Sequence, residues 1–118
     1  MLKNFNNLIN WYIWHIGQIG RAAGVFCVDE IVIYNDGECG STVEKPYQGP
    51  EVSPKKNMLL MARILQYLEC PQYLRKYFFP VHDDLKFVGL LNPLDAPHHL
   101  RKEEVSVYRE GVVLKKEG

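Results

Sequence analysis

The 118-residue sequence predicts an α/β fold with a small parallel sheet. Three observations predict it. Ile31, Val32, Ile33 and Tyr34 form a continuous β-branched and aromatic run, the pattern of a strand covered on both faces. Residues 3–24 and 54–69 carry apolar side chains at steps of three and four, the period of helices that pack on such a sheet. A hydrophobic content of 47% and a charged content of 24% suit one core in a chain of this length, not two.

In the first helix, Ile9, Ile13, Ile16, Gly20 and Ala23 share one stripe, and Trp11, Tyr12 and Trp14 widen the apolar surface around it. The stripe narrows from isoleucine to glycine and alanine, which lets the backbone lie close to a neighbouring sheet. Gly17, Gly20 and Gly24 each weaken a helix by about 1 kcal/mol relative to alanine. Close packing or a nearby ligand has to account for them. The strand at 31–34 follows and stops at Asn35-Asp36-Gly37, which is turn chemistry. Residues 35–54, rich in Gly, Pro, Ser, Asp and Glu, read as a long exposed loop, either an insertion or a functional loop.

Ser53 is placed to cap the second helix, with Pro54 in its first turn. Met58, Met61, Ala62, Leu65 and Leu68 mark its apolar face, and Cys70-Pro71 ends it. Residues 72–79 predict a further short aromatic helix, with Arg75 and Lys76 facing water. Residues 85–91 are apolar and fit a strand or a short helix. Residues 95–102 read as loop. Residues 104–116 alternate around Arg109-Glu110-Gly111, with Val105, Val107, Val112 and Leu114 as the apolar positions, so a hairpin or one bent strand fits.

Lysine plus arginine number 14 and aspartate plus glutamate 14, so total charge signals no strong general attraction to nucleic acid or an anionic membrane, while a local basic patch stays open. Cys27, Cys39 and Cys70 are too few and too odd in number for a disulfide framework, which points to a reducing, intracellular compartment, nuclear or cytoplasmic. Lys3 precedes an apolar stretch as in a signal peptide. Asn4, Asn6, Asn7, Asn10, His15 and Gln18 interrupt that stretch, so a secretory leader is not expected. No apolar run approaches the roughly 20 residues that span a bilayer, so no membrane partner is expected.

Arg21 is the sharpest candidate for chemistry. Gly17 lies one helical turn before it on the same face, where a missing side chain leaves space for the guanidinium and a substrate. A guanidinium stays charged and offers a planar fork of donors to a phosphate or a developing oxyanion. The alternative is a surface arginine paired with Asp29 or Glu30. Arg75, Lys76, Arg101 and Lys102 can meet phosphate if the fold gathers them, although Glu103-Glu104 partly neutralise the second pair. Tyr73, Tyr77, Phe78 and Phe79 can stack on bases or serve as core. His98-His99 with His82, Cys70 and Asp95 can be imagined around a metal, but adjacent loop histidines lack the paired spacing of structural zinc sites, so no metal is expected. Cys27, within an apolar stretch, reads as a small buried hydrophobe.

The stretch HIGQIGRAAGVFCVDEIVIY, residues 15–34, resembles the first motif of the SPOUT (α/β-knot) RNA methyltransferases. In their ribose-methylating branch an asparagine, a glycine and an arginine stand where this chain has His15, Gly17 and Arg21, and an apolar connection and a strand follow. RILQYLECPQYLRKYFFP and LKFVGLLNPLDAPHHLRKEE are similar to a eukaryotic and archaeal subgroup that carries an inserted OB-like domain. The resemblance implies S-adenosylmethionine-dependent methylation of RNA by a homodimer, with Arg21 at the methyl-acceptor site. Gly17, Arg75, Lys76 and Arg101 are the accompanying substrate-binding candidates. It also implies that residues 1–104 are the N-terminal part of the methyltransferase domain, a half-domain lacking the C-terminal knot, and that residues 105–118 begin the OB-like insert. The cofactor of that family sits in the knot, so its pocket is expected to be absent from this chain, no residue here is carried over as its ligand, and the isolated chain is expected to be inactive. The competing expectation is a non-catalytic interaction module that binds RNA or protein.

Overall fold

The computed structural model describes residues 8–34 and 54–115. Helix α1 runs Leu8–Val25, α2 runs Pro54–Glu69 and a single-turn α3 runs Arg75–Phe78. Three 3-10 turns, Gln72–Leu74, Asp83–Leu85 and Val88–Leu90, fold the chain back after α2. The second helix opens at Pro54 and stops at Glu69, ahead of Cys70-Pro71, as the proline positions dictate. The predicted cap Ser53 and nearly all of the 35–54 loop lie outside the described residues.

The core is the seam between α1 and α2. Ile13 and Ile16 from α1 meet Ile64 and Leu68 from α2, and Val88 closes the end of the cluster. Leu60, Met61, Leu65, Tyr67, Leu85, Phe87, Leu91 and Leu94 pack around it. Burying one such side chain contributes about 1.5–3 kcal/mol. Tyr12 adds a polar stitch: its hydroxyl donates to the Asn57 carbonyl at 3.4 Å, and burial pushes its phenol above the ordinary range.

The glycines of α1 have separate explanations. A Cβ on Gly17 would lie 2.7 Å from Leu91 Cδ2, and one on Gly20 would lie 3.1 Å from Leu68 Cδ1. These two positions therefore admit close packing, against the 91–94 segment and against α2 rather than against a sheet. Gly24 has nothing within 4 Å. The helix then closes with paired bonds from Cys27 N to Gly24 O at 3.3 Å and from Val28 N to Ala23 O at 2.9 Å. That pattern requires a left-handed residue just past the helix end, and Cys27 supplies it at φ 53°. Cys27 is accordingly exposed, not the buried hydrophobe expected.

The α/β fold with a small parallel sheet is not what these residues build. Among the described residues there are helices and turns and no strand. Ile31, Val32 and Tyr34 stand exposed, Ile33 is half-buried, and residues 28–34 pair with no strand among the described residues. The 104–115 segment likewise leaves Val105, Val107, Val113 and Leu114 in solvent and forms no hairpin. The physical reason is pairing. A β-branched run fits a pleated, covered surface but does not create one, and a strand with no neighbour has no hydrogen bonds to hold it. Residues 85–91, left open between strand and helix, resolve into 3-10 turns.

Candidate functional site

The basic candidates separate into two places. Arg75 begins α3, directly after the Cys70-Pro71 break. It is half-buried, not facing water as expected: its Nε donates to the carbonyls of Tyr67 and Cys70, each at 3.2 Å. Those carbonyls end α2, where unpaired acceptors and the helix dipole favour a cation. The guanidinium lies 4.3 Å from the Tyr67 ring centroid, and Tyr67 is held edge-on by Phe79 at 5.4 Å. Nε alone carries these bonds. The two terminal nitrogens of Arg75 have no hydrogen bond to a described residue, and Arg75 lines a recess of about 150 Å³.

Arg101 reaches the same recess. A turn bond from Glu104 N to Arg101 O at 3.1 Å and a return bond from Arg101 N to Glu104 Oε2 at 3.0 Å fix its backbone, leaving its side chain exposed. Gln72, Pro93, Leu94, Asp95 and His99 complete the walls. Two guanidinium groups, an amide and one opposing carboxylate make a recess suited to a planar or tetrahedral anion with a polar neighbour. Lys76 does not line it; its ammonium lies 4.8 Å from the Tyr77 ring in solvent. Gly17 does not line it either. It seats Leu91, and the chain runs from there into the Pro93–Leu94–Asp95 wall.

Arg21 stands apart on the exposed face of α1. The space over Gly17 that was expected to serve it is filled by Leu91. No hydrogen bond or ion pair joins Arg21 to a described residue, so the alternative pairing with Asp29 or Glu30 is not made. His15, at the motif's first position, has its Nδ1 2.8 Å from the Trp11 carbonyl, with its ring 3.8 Å from that of Trp11.

One grouping carries no signal in the sequence, and another revises the imagined histidine cluster. Arg63 pairs with Asp84 and lies 3.2 Å from the His82 ring nitrogens, clamping α2 to the 82–85 turn. His82 Nδ1 also accepts from Asp84 N at 3.1 Å. Glu69, His98 and His99 converge at the end of α2, their ligand atoms all within 4.8 Å of one another. His82, Cys70 and Asp95, imagined with those histidines, are not part of that group.

Comparison with known proteins identifies the lineage. A family described as "Putative RNA methyltransferase" matches residues 3–118. The chain belongs to this family. It is 58% identical over 100 residues to a Homo sapiens "28S rRNA (uridine-N(3))-methyltransferase", covering 83% of this chain and 26% of that protein. A Drosophila melanogaster protein of the same description is 51% identical over 107 residues, 85% of this chain and 22% of its own length. An uncharacterised protein of Halobacterium salinarum is 35% identical over 79 residues, 67% of this chain and 23% of that protein. The chain spans about a quarter of the length of the curated relatives it matches.

Membership in an RNA methyltransferase family implies a methyl donor. A second depression, about 430 Å³, lies between Cys70, Leu74, Phe78, Phe79 and Glu110 and is open to solvent. No described residue is assigned to hold the methyl donor. No helix among the described residues is long and apolar enough to cross a membrane.

Proposed function

We propose that this chain is the acceptor-side portion of an S-adenosylmethionine-dependent, SPOUT-type RNA methyltransferase. It acts as a homodimer on N3 of a uridine in ribosomal RNA, in the nucleus or cytoplasm. Residues 1–104 belong to the methyltransferase domain and residues 105–118 open an OB-like insert. The observation that carries this reading is the 58% identity, over 83% of the chain, to a human enzyme described by that chemistry.

The chemistry gives the exposed arginine a task. Before N3 of uracil gains a methyl group it loses its proton to water, and negative charge spreads onto the flanking carbonyl oxygens. Arg21, charged and without a partner among the described residues, steadies that charge. It does not accept the proton, because a guanidinium has no acceptor at working pH. Arg75 and Arg101 hold a backbone phosphate of the same RNA in their shared recess.

On this reading the chain alone binds RNA, and methyl transfer needs the cofactor-binding knot that the resemblance to SPOUT enzymes implies. The test is a chimera in which these residues replace the matching segment of the human relative. Mass spectrometry of a ribosomal RNA fragment then follows uridine methylation. Arg21→Ala is expected to slow transfer about a hundredfold or more while RNA affinity stays within a few-fold. An unchanged rate in that variant removes Arg21 from the reaction. The second reading, a non-catalytic interaction module, is favoured by Phe26, Val32 and Tyr34 standing in solvent as a protein-binding strip. A chimera that never methylates, while the chain still captures RNA or protein, selects it.

A further inference from the structure

We propose that Glu69, His98 and His99 form a binding site for a divalent first-row metal ion of the zinc class. The three side chains come from two distant places, the last residue of α2 and the loop about thirty positions later, yet their ligand atoms lie within 4.8 Å of one another. Two imidazoles and one carboxylate are a donor set that zinc, cobalt and nickel accept, with water filling the remaining position.

Proximity alone would not carry this. The orientation of His99 adds to it. Its Nδ1 donates to the Leu94 carbonyl at 3.1 Å, which leaves Nε2 to face the cluster. Such a bond from the outer ring nitrogen to a backbone carbonyl is the usual support of a metal-ligating histidine. Nε2 then faces the Glu69 carbonyl oxygen at 2.6 Å. A contact that short needs positive charge on the ring side, which a second ring proton or a bound cation supplies. His98 brings Nε2 to the same point, 2.7 Å from Glu69 Oε1 and 3.2 Å from the Glu69 carbonyl. Four polar atoms of three residues, the two Nε2 atoms, Glu69 Oε1 and the Glu69 carbonyl oxygen, are thus gathered where the α2 dipole is already negative. A divalent ion resolves this arrangement. Metal–nitrogen and metal–oxygen bonds of about 2.0–2.2 Å are in keeping with ligand atoms that already lie within 4.8 Å of one another.

The consequence is mechanical. The ion ties the 94–99 segment to the end of α2, and Leu94, Asp95 and His99 are walls of the Arg75–Arg101 recess. Occupancy therefore stiffens the recess, whether or not the recess binds RNA.

The test uses the full chain with Cys27 and Cys39 changed to serine, so that these thiols do not compete. Calorimetry with zinc chloride at neutral pH is expected to show one site. His98→Ala, His99→Ala and Glu69→Gln are each expected to weaken it at least about tenfold. Glu69→Gln removes only an exposed carboxylate, so it reads the site even if a histidine variant unfolds. Hydrogen exchange at residues 94–100 is expected to slow on zinc addition. Cobalt is expected to give a visible spectrum free of thiolate charge transfer. Absence of zinc heat, binding unchanged in Glu69→Gln, or a thiolate band that moves the site to Cys70 would each overturn the proposal.

Discussion

Cys27 holds a left-handed backbone at φ 53°, a conformation that costs an ordinary residue roughly 1 kcal/mol and glycine almost nothing. Its side chain is exposed, so nothing is lost by removing it. Cys27→Gly is expected to stabilise the chain by about 1 kcal/mol, read as a rise in thermal midpoint of a few degrees; a fall would mean the thiol makes a contact that its exposure denies. The other described cysteine behaves oppositely. Burial pushes the Cys70 thiol above its ordinary value of 9.0, with Arg75 pulling partly the other way and Glu110 and Glu69 adding to the rise. The folded state thus holds this proton more firmly than the unfolded chain. The stability it contributes is present at neutral pH and is lost as pH climbs through the folded value. Iodoacetamide labelling followed by peptide mass mapping is expected to modify Cys27 well before Cys70 at mildly alkaline pH. Equal rates would contradict the half-buried placement of Cys70.

The seam between α1 and α2 sets the costs at the level of the elements. Ile64 is fully buried in it, and Ile64→Ala is expected to cost about 2–5 kcal/mol by chemical denaturation. The three glycines of α1 give a graded series. Gly24→Ala meets open space and gains about 1 kcal/mol of helix propensity, Gly20→Ala presses on Leu68 and roughly breaks even, and Gly17→Ala drives Leu91 out of its seat and loses stability. An inverted order would show that Leu91 does not pack where it is placed. The seam was largely readable beforehand. The three-four period placed Ile13 and Ile16 on one stripe and Leu65 and Leu68 on another, and the prolines at 54 and 71 bounded the second helix. Ile64, the most deeply buried residue, was missed because it flanks the expected stripe of Met61, Leu65 and Leu68. The sheet was misread for a different reason. Periodicity reports what a segment needs on its faces, and Ile31, Val32 and Ile33 need neighbours that the described residues do not provide.

At the scale of the whole molecule the recess illustrates what linear pattern cannot show. Arg75 and Arg101 were both candidates, but 26 positions separate them, and only the fold after Cys70-Pro71 brings them to one cavity while leaving Lys76 outside. Neither Gln72 nor Leu94 carries any signal of its own for that place; proximity created by three 3-10 turns made them walls. The total charge of zero hides such a patch, because equal counts of acids and bases say nothing about where each sits. If the recess takes a phosphate, its signature is ionic. Each arginine that neutralises a phosphate of single-stranded RNA contributes roughly 0.7 to the slope of log affinity against log salt. Arg101→Ala, whose side chain makes no structural bond, is expected to lower that slope by about this amount. Arg75→Ala should do the same, with helical content followed because its Nε also ties down the end of α2. Lys102→Ala, the sequence neighbour that does not line the recess, is expected to leave the slope nearly unchanged. Equal losses from all three would mean that RNA reads diffuse charge along residues 101–102, and that the recess is a packing feature of the turns.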